Sequence, residues 1–336
     1  MPYCRAMWLD SPLWIAEPAA MLLLALGLDA LAGDMRALFR YVPHPVVLIG
    51  RMIRFFDRRL NREQRDETSR RWRGIVTVLT VAGTAAAIAW FAHVVLARYR
   101  WGWAVETFVV AVLVAQRSLH DHVAAVGKAL ERDGIDAARR EVAHIVGRDP
   151  DTLDAHGVAR AAIESLFENF ADGVVAPVFW YLLLGLPGIV ALKAINTLDS
   201  MIGHKTPRHH AFGEAAARLD TAVMFFPARL AGLYVVLAAV IVPAGKPVAA
   251  LRTMLRDAHK HRSFNAGWPE GAAAGALDIA LAGPRRYHGE LADDAWIGAG
   301  RARVLPADVA RALSLFVIAC LVHVVAAAGY LLARHG

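Results

Sequence analysis

The chain has 336 residues, 57% of them apolar, and a mean hydropathy of +0.39; a soluble domain of this size normally holds about half apolar residues. Its net charge of +7 comes largely from Arg beside apolar blocks. A nucleic-acid surface would interleave those cations with aromatics, so the balance speaks against that partner. The only two cysteines, Cys4 and Cys320, stand at opposite ends of the sequence, which excludes a disulfide framework and a CxxC metal or redox site.

In chain order, the first apolar block is Leu13 to Ala32. It follows a stretch with one basic residue, Arg5, and no convincing small-x-small cleavage site, so it is expected to remain as an uncleaved membrane segment. Pro43-His44-Pro45 then reads as a stiff extended turn that presents an imidazole or merely orders structure. Arg51 to Arg73 carries nine Arg against four acids; beside two apolar blocks, that excess marks the cytoplasmic side.

Gly74 to Ala97 and Trp101 to Ala115 follow as a hairpin around Arg98 to Arg100, with Tyr99, Trp101 and Trp103 as interfacial anchors. Gln116 to Asp172 therefore returns to the cytoplasm. The next block, Gly173 to Leu192, is interrupted by Gly185-Leu-Pro-Gly188. Its first arm would rise only about 16 Å as a helix, so a re-entrant hairpin is expected in place of a crossing. Ala222 to Ala244 and Val309 to Ala333 complete the apolar blocks. A full crossing by the former would put Leu251 to Asp308 on the side opposite the other polar loops; Pro227 and Arg229 permit a shortened segment instead. The expected fold is all-α: one polytopic membrane domain with about five transmembrane helices, a re-entrant hairpin and amphipathic polar segments at 33–73, 116–172, 193–221 and 251–308.

Chemistry concentrates at the hairpin's ends. Arg160, Glu164, Glu168 and Asp172 recur every four residues, one drifting stripe on a helix that a solvated face would also show. Arg160 can pair with Glu164. Glu168, Asn169 and Asp172 sit where acids lose hydration, and two carboxylates with an amide oxygen suit Mg²⁺. Asn196 and Asp199 repeat that amide-carboxylate offset beyond the break. Lys205 and Arg208 suit phosphate oxygens or simply flank a membrane. Asn265, Trp268 and Glu270 form a third cluster, whose small neighbours favour close helix packing. His209-His210 and His259-x-His261 lack a zinc ligand set, and no P-loop sequence is present.

The ordered motifs Gly33-Asp34, His44-Pro45-Val46, Ile49-Gly50-Arg51, Gly147-Arg148-Asp149, Arg160 with Glu164-Ser165, Glu168-Asn169, Asp172-Gly173, Asn196 to Met201, Arg218-Leu219-Asp220, Pro227-Ala228-Arg229-Leu230 and Asn265 to Glu270 resemble the adenosylcobinamide-phosphate synthase family, CobD or CbiB, over nearly the whole chain. Phe170 and His204 depart from its pattern. The resemblance implies an ATP-dependent carbon-nitrogen ligase of the cell inner membrane that joins the propionate carboxylate of adenosylcobyric acid to aminopropanol phosphate or a related amino alcohol. It implies ATP and Mg²⁺ as co-substrate and metal, a corrinoid as substrate, and other late cobalamin-assembly membrane enzymes as partners alongside the lipid bilayer.

On that reading Glu168, Asp172 and Asp199 hold the metal, with Asn169 and Asn196 orienting it, and Asp220 or Glu270 takes the amine proton. His44, Arg51, Arg148, Arg160, Glu164, Lys205, Arg208, Arg229, Asn265 and Trp268 contact substrates. The competing readings are an ion-coupled transporter, for which broken helices are ordinary, and a non-catalytic AmpE-like membrane sensor.

Overall fold

A computed structural model describes residues 18–33, 39–41, 43–147, 149–287, 290–292 and 294–335. The helices are α1 (Pro18–Ala32), α2 (Pro45–Leu60), α3 (Glu67–Leu96), α4 (Gly102–Leu113), α5 (Gln116–Arg132), α6 (Ile135–Ala143), α7 (Ala155–Phe170), α8 (Ala176–Ile202), α9 (Glu214–Val223), α10 (Phe225–Ile241), α11 (Pro247–Asp257), α12 (Gly267–Leu277) and α13 (Pro306–His335). Two short antiparallel pairs, β1 (Leu281–Ala282) with β4 (Trp296–Ile297) and β2 (Arg285–Tyr287) with β3 (Glu290–Ala292), interrupt this sequence after α12. The protein is an all-α polytopic membrane protein. Among the described residues four helical stretches are long and apolar enough to cross a bilayer, or five if α9 and α10, bent by 47°, count as one.

The described residues form two compact units. The first comprises those up to Ala115, Ala176–Val223 and Ala328 onward; the second comprises Gln116–Val175 and Met224–Ala327. In the first unit, α8 packs on α2, α3, α4 and α9. Ile49, Ile53, Val78, Val81, Leu198, Ile202 and Phe212 fill the core between them. In the second, α12 packs on α7, α10 and α11. Every residue from Gly267 to Leu277 except Trp268 is buried, because the sequence GWPEGAAAGAL presents small side chains that let neighbouring backbones approach. A methyl on Gly275 would collide with the Ala249 carbonyl.

The break in α8 is sharp. Gly185 adopts φ 66° and ψ −152°, a region open essentially to glycine. A methyl on Gly188 would strike the Trp180 carbonyl eight residues earlier, whereas a continuous helix separates such residues by about 12 Å. The chain therefore turns back sharply at Gly185.

Three expectations change. Trp101 to Ala115 contains only the 12-residue α4, about 18 Å at helical rise; the stretch reaches spanning length only with α5, which continues beyond the break at Val114-Ala115. Ala222 to Ala244 is divided between the end of α9 and the 17-residue α10. The extended turn at His44 is a helix start, because Pro45 occupies the first helical position and the His44 Nδ1 accepts from the Val46 N–H at 3.2 Å. Asp34, Arg148 and the part of the first apolar block before Pro18 lie outside the described residues.

Candidate functional site

In the first unit, the lower arm of α8 carries Asn196 and Asp199 on one face, and α9 brings Asp220 against them. The Asn196 Nδ2 donates to the Asp220 Oδ1 at 2.6 Å. The Asn196 Oδ1 is buried and has no hydrogen-bond partner among the described residues, a costly state for an amide oxygen. Asp199 is close enough for its charge to act on Asp220. Gly203 ends the arm directly beside the Asp199 carboxylate, where any side chain would collide with the Oδ1. Two carboxylates and an amide oxygen without a partner thus converge from sequence positions 196, 199 and 220.

The cations around this set differ in availability. Lys205 is exposed and forms no ion pair among the described residues. Arg208 is already engaged, donating to the Asp57 Oδ2 at 3.0 Å while its carbonyl accepts from Asn61 and Arg70. That anchoring ties the loop after α8 to α2 and α3, so Arg208 positions the loop. Arg51 is exposed on α2.

In the second unit, α7 presents the predicted stripe and ends in a π-helical turn, Ala171–Val175, that contains the half-buried Asp172. Such turns insert a residue and re-aim side chains, often at functional sites. Glu168 and Asn169 are exposed, and the Asn169 Nδ2 donates to the Ser165 carbonyl at 2.9 Å, which points its oxygen away from the helix. The described contacts of Arg160 and Glu164 run to separate segments. Arg160 donates to the Ala302 carbonyl at 2.7 Å and lies over the Trp296 ring. Glu164, 5% exposed, accepts from the Ala282 N–H at 2.7 Å, fixing β1 to α7.

Arg229 of α10 lies in an aromatic cage, its guanidinium carbon 3.7, 4.8 and 4.6 Å from the ring centres of Phe225, Phe264 and Trp268. It also donates to the Asn265 Oδ1 at 2.8 Å. Glu270 is 1% exposed, with its Oε1 3.6 Å from the His261 Nε2. The sequence singled out Arg229, Asn265 and Trp268; Phe225 and Phe264 were missed, although Phe225 stands one helical turn before Arg229.

A further polar group was also missed. Glu106 of α4, 4% exposed, accepts from Tyr181 at 3.4 Å and meets the His93 Nδ1 at 2.8 Å. Its signal was a lone acid inside an apolar block. Among the described residues, no three His, Cys, Asp or Glu side chains form a preassembled metal group. Mg²⁺ does not need one, because it binds through one or two carboxylates with substrate phosphates and water.

The CobD/Cbib protein family matches residues 22–316. The chain belongs to this family. It is 47% identical over 320 residues to the cobalamin biosynthesis protein CobD of Sinorhizobium sp, covering 93% of this chain and 97% of that one. Proteins of the same name from Rhodobacter capsulatus and Brucella suis are each 47% identical, over 298 and 305 residues; the matches cover 89% and 88% of this chain and 92% and 91% of theirs. No solved structure matches.

Proposed function

We propose that the protein acts in cobalamin biosynthesis, in the cell inner membrane, as an ATP-dependent ligase forming the amide between a corrinoid propionate and aminopropanol phosphate or a related amino alcohol. The names of the 47%-identical relatives support the pathway. The observation that carries the chemistry is the buried, partnerless Asn196 Oδ1 beside Asp199 and Asp220.

A carboxylate resists amine attack because oxide is a poor leaving group. Transfer of the ATP γ-phosphoryl to the propionate gives an acyl phosphate and ADP; the amine nitrogen then attacks the acyl carbon, inorganic phosphate leaves with one former carboxylate oxygen, and the amine gives up a proton. Asp199 and the Asn196 carbonyl are hard oxygen donors that would hold Mg²⁺, which neutralises triphosphate charge when bound. Asp220 orients the Asn196 amide through its Oδ1, and its Oδ2, which makes no hydrogen bond among the described residues, accepts the amine proton. Lys205 supplies an available cation for phosphoryl oxygens. Glu168, Asn169 and Asp172 form the corresponding oxygen-rich set of the second unit, and caged Arg229 with Trp268 and Asn265 supplies a preorganised cationic surface for substrate.

The test is isotopic. Purified protein in detergent receives adenosylcobyric acid with ¹⁸O in the free carboxylate, aminopropanol phosphate, ATP and Mg²⁺. The proposal expects adenosylcobinamide phosphate, with one ¹⁸O in inorganic phosphate for each amide formed. Label in AMP would refute the acyl phosphate, and absence of amide from folded protein would refute the ligase.

A further inference from the structure

We infer that a cavity in the second unit, between α11 and α12, binds a phosphate group. The cavity, of about 480 Å³, is lined by residues that include Lys246, Arg252, Thr253, Arg256, Gly275 and Asp278. That volume suits a small molecule or a headgroup. Three cations against one acid leave the lining positive. It also takes in the start of α11, where Pro247 occupies the first turn and no side chain caps the N–H groups; a helix N-terminus favours an anion.

Independent support comes from Thr253. The helical residues Thr77, Thr197 and Thr221 each donate their hydroxyl to the carbonyl four residues earlier. Thr253 lines the cavity, is 7% exposed, and makes no side-chain hydrogen bond among the described residues. Its hydroxyl is not among the fully buried unsatisfied atoms, so it is reachable from the cavity and, being unengaged by the protein, open to a ligand oxygen.

The cations are arranged for exchange. Arg256 is clamped to Asp257 through two bonds of 2.8 and 2.6 Å, which fixes its position. Lys246 meets Asp278 at 2.7 Å, but the two side chains are 51% and 61% exposed, so that pair is cheaply traded for a ligand. Arg252 has no partner among the described residues, and one α11 flank exposes Val248, Leu251 and Leu255. A phosphate could therefore arrive on a soluble phosphorylated compound or on a lipid headgroup whose chains lie along that flank. The binding chemistry is the same and does not depend on the ligase reading.

The full chain is tested in two arms. In dodecyl maltoside, calorimetry measures binding of pyrophosphate; in nanodiscs of mixed phosphatidylcholine and phosphatidylglycerol, native mass spectrometry measures retained phosphatidylglycerol. Arg252→Gln, on an exposed position, and near-isosteric Thr253→Val are each expected to weaken binding about tenfold. Loss in the first arm identifies a free phosphate compound, and loss in the second identifies a lipid. No binding in either arm, or binding unchanged in both variants, overturns the site. Amide formation is assayed separately, so a failed ligase and a failed phosphate site are distinct results.

Discussion

Replacing Arg229 tests whether its aromatic cage is an organising element of the second unit. Arg229→Ala removes a charged hydrogen bond to Asn265 at 2.8 Å, worth about 1.5–3 kcal/mol, and three ring contacts. Phe225 and Phe264 are 38% and 58% exposed, so each contact is set near the low end, about 0.5 kcal/mol. With the hydrogen bond also taken at its lower end, the total is about 3 kcal/mol. At about 2–4 °C per kcal/mol for a chain of this size, the unfolding midpoint should fall by about 6–12 °C. Arg229→Lys keeps the charge but cannot lie flat among three rings while also donating to Asn265 and the Phe225 carbonyl, so roughly half the loss should remain. Tryptophan fluorescence during heating in detergent reads both variants. Midpoints within 1 °C of wild type at the precision of about 0.3 kcal/mol would refute the reasoning.

Glu106→Ala should destabilise the first unit by about 3 kcal/mol, because it removes a buried carboxylate that partners half-buried His93 and buried Tyr181; denaturant unfolding measures it, and Tyr181→Phe, losing only a 3.4 Å bond, should cost less than about 1 kcal/mol. Gly185→Ala should cost about 1–3 kcal/mol by forcing a side chain into φ 66°, ψ −152°, visible as a lower midpoint and reduced yield of folded protein. Arg256, then Lys260 and the Gly298 N–H, hold the Asp257 carboxyl below its ordinary value of 3.8. A depressed carboxylate stabilises the fold above that ordinary value and loses its contribution as pH falls through the carboxylate range. The unfolding midpoint should thus drop below about pH 4, and Asp257→Asn should flatten the drop.

Much of the fold was legible because bilayer thickness sets a simple length rule. The apolar runs in α3 and α13 announced themselves, and glycine flanking Pro187 marked the return of α8. Less legible were elements whose character depends on neighbours. The second half of α2 read as part of a polar loop because Arg51, Arg54, Arg58 and Arg59 crowd it, and only packing of Ile49 and Ile53 in the core with α8 reveals a helix with one wet face. The small β pairs after α12 have no periodicity to read over two or three residues. In the site, residue types were legible and partners were not. Asn196 was expected to echo Asn169, yet its hydrogen bond goes to Asp220, 24 residues away. Arg208 looked free for phosphate until Asp57 of α2 claimed it. Such pairings follow from helix packing, which local spacing does not encode.

The decisive measurement is the Mg²⁺ dependence of amide formation by purified wild-type protein, Asp199→Asn and Asn196→Ala, with folding checked by circular dichroism. If these oxygens hold the ion with its triphosphate, both variants should need at least tenfold more Mg²⁺ for half-maximal rate or lose about a hundredfold in rate, in line with removal of a metal-orienting group. Folded variants with the wild-type rate and Mg²⁺ requirement would contradict the account.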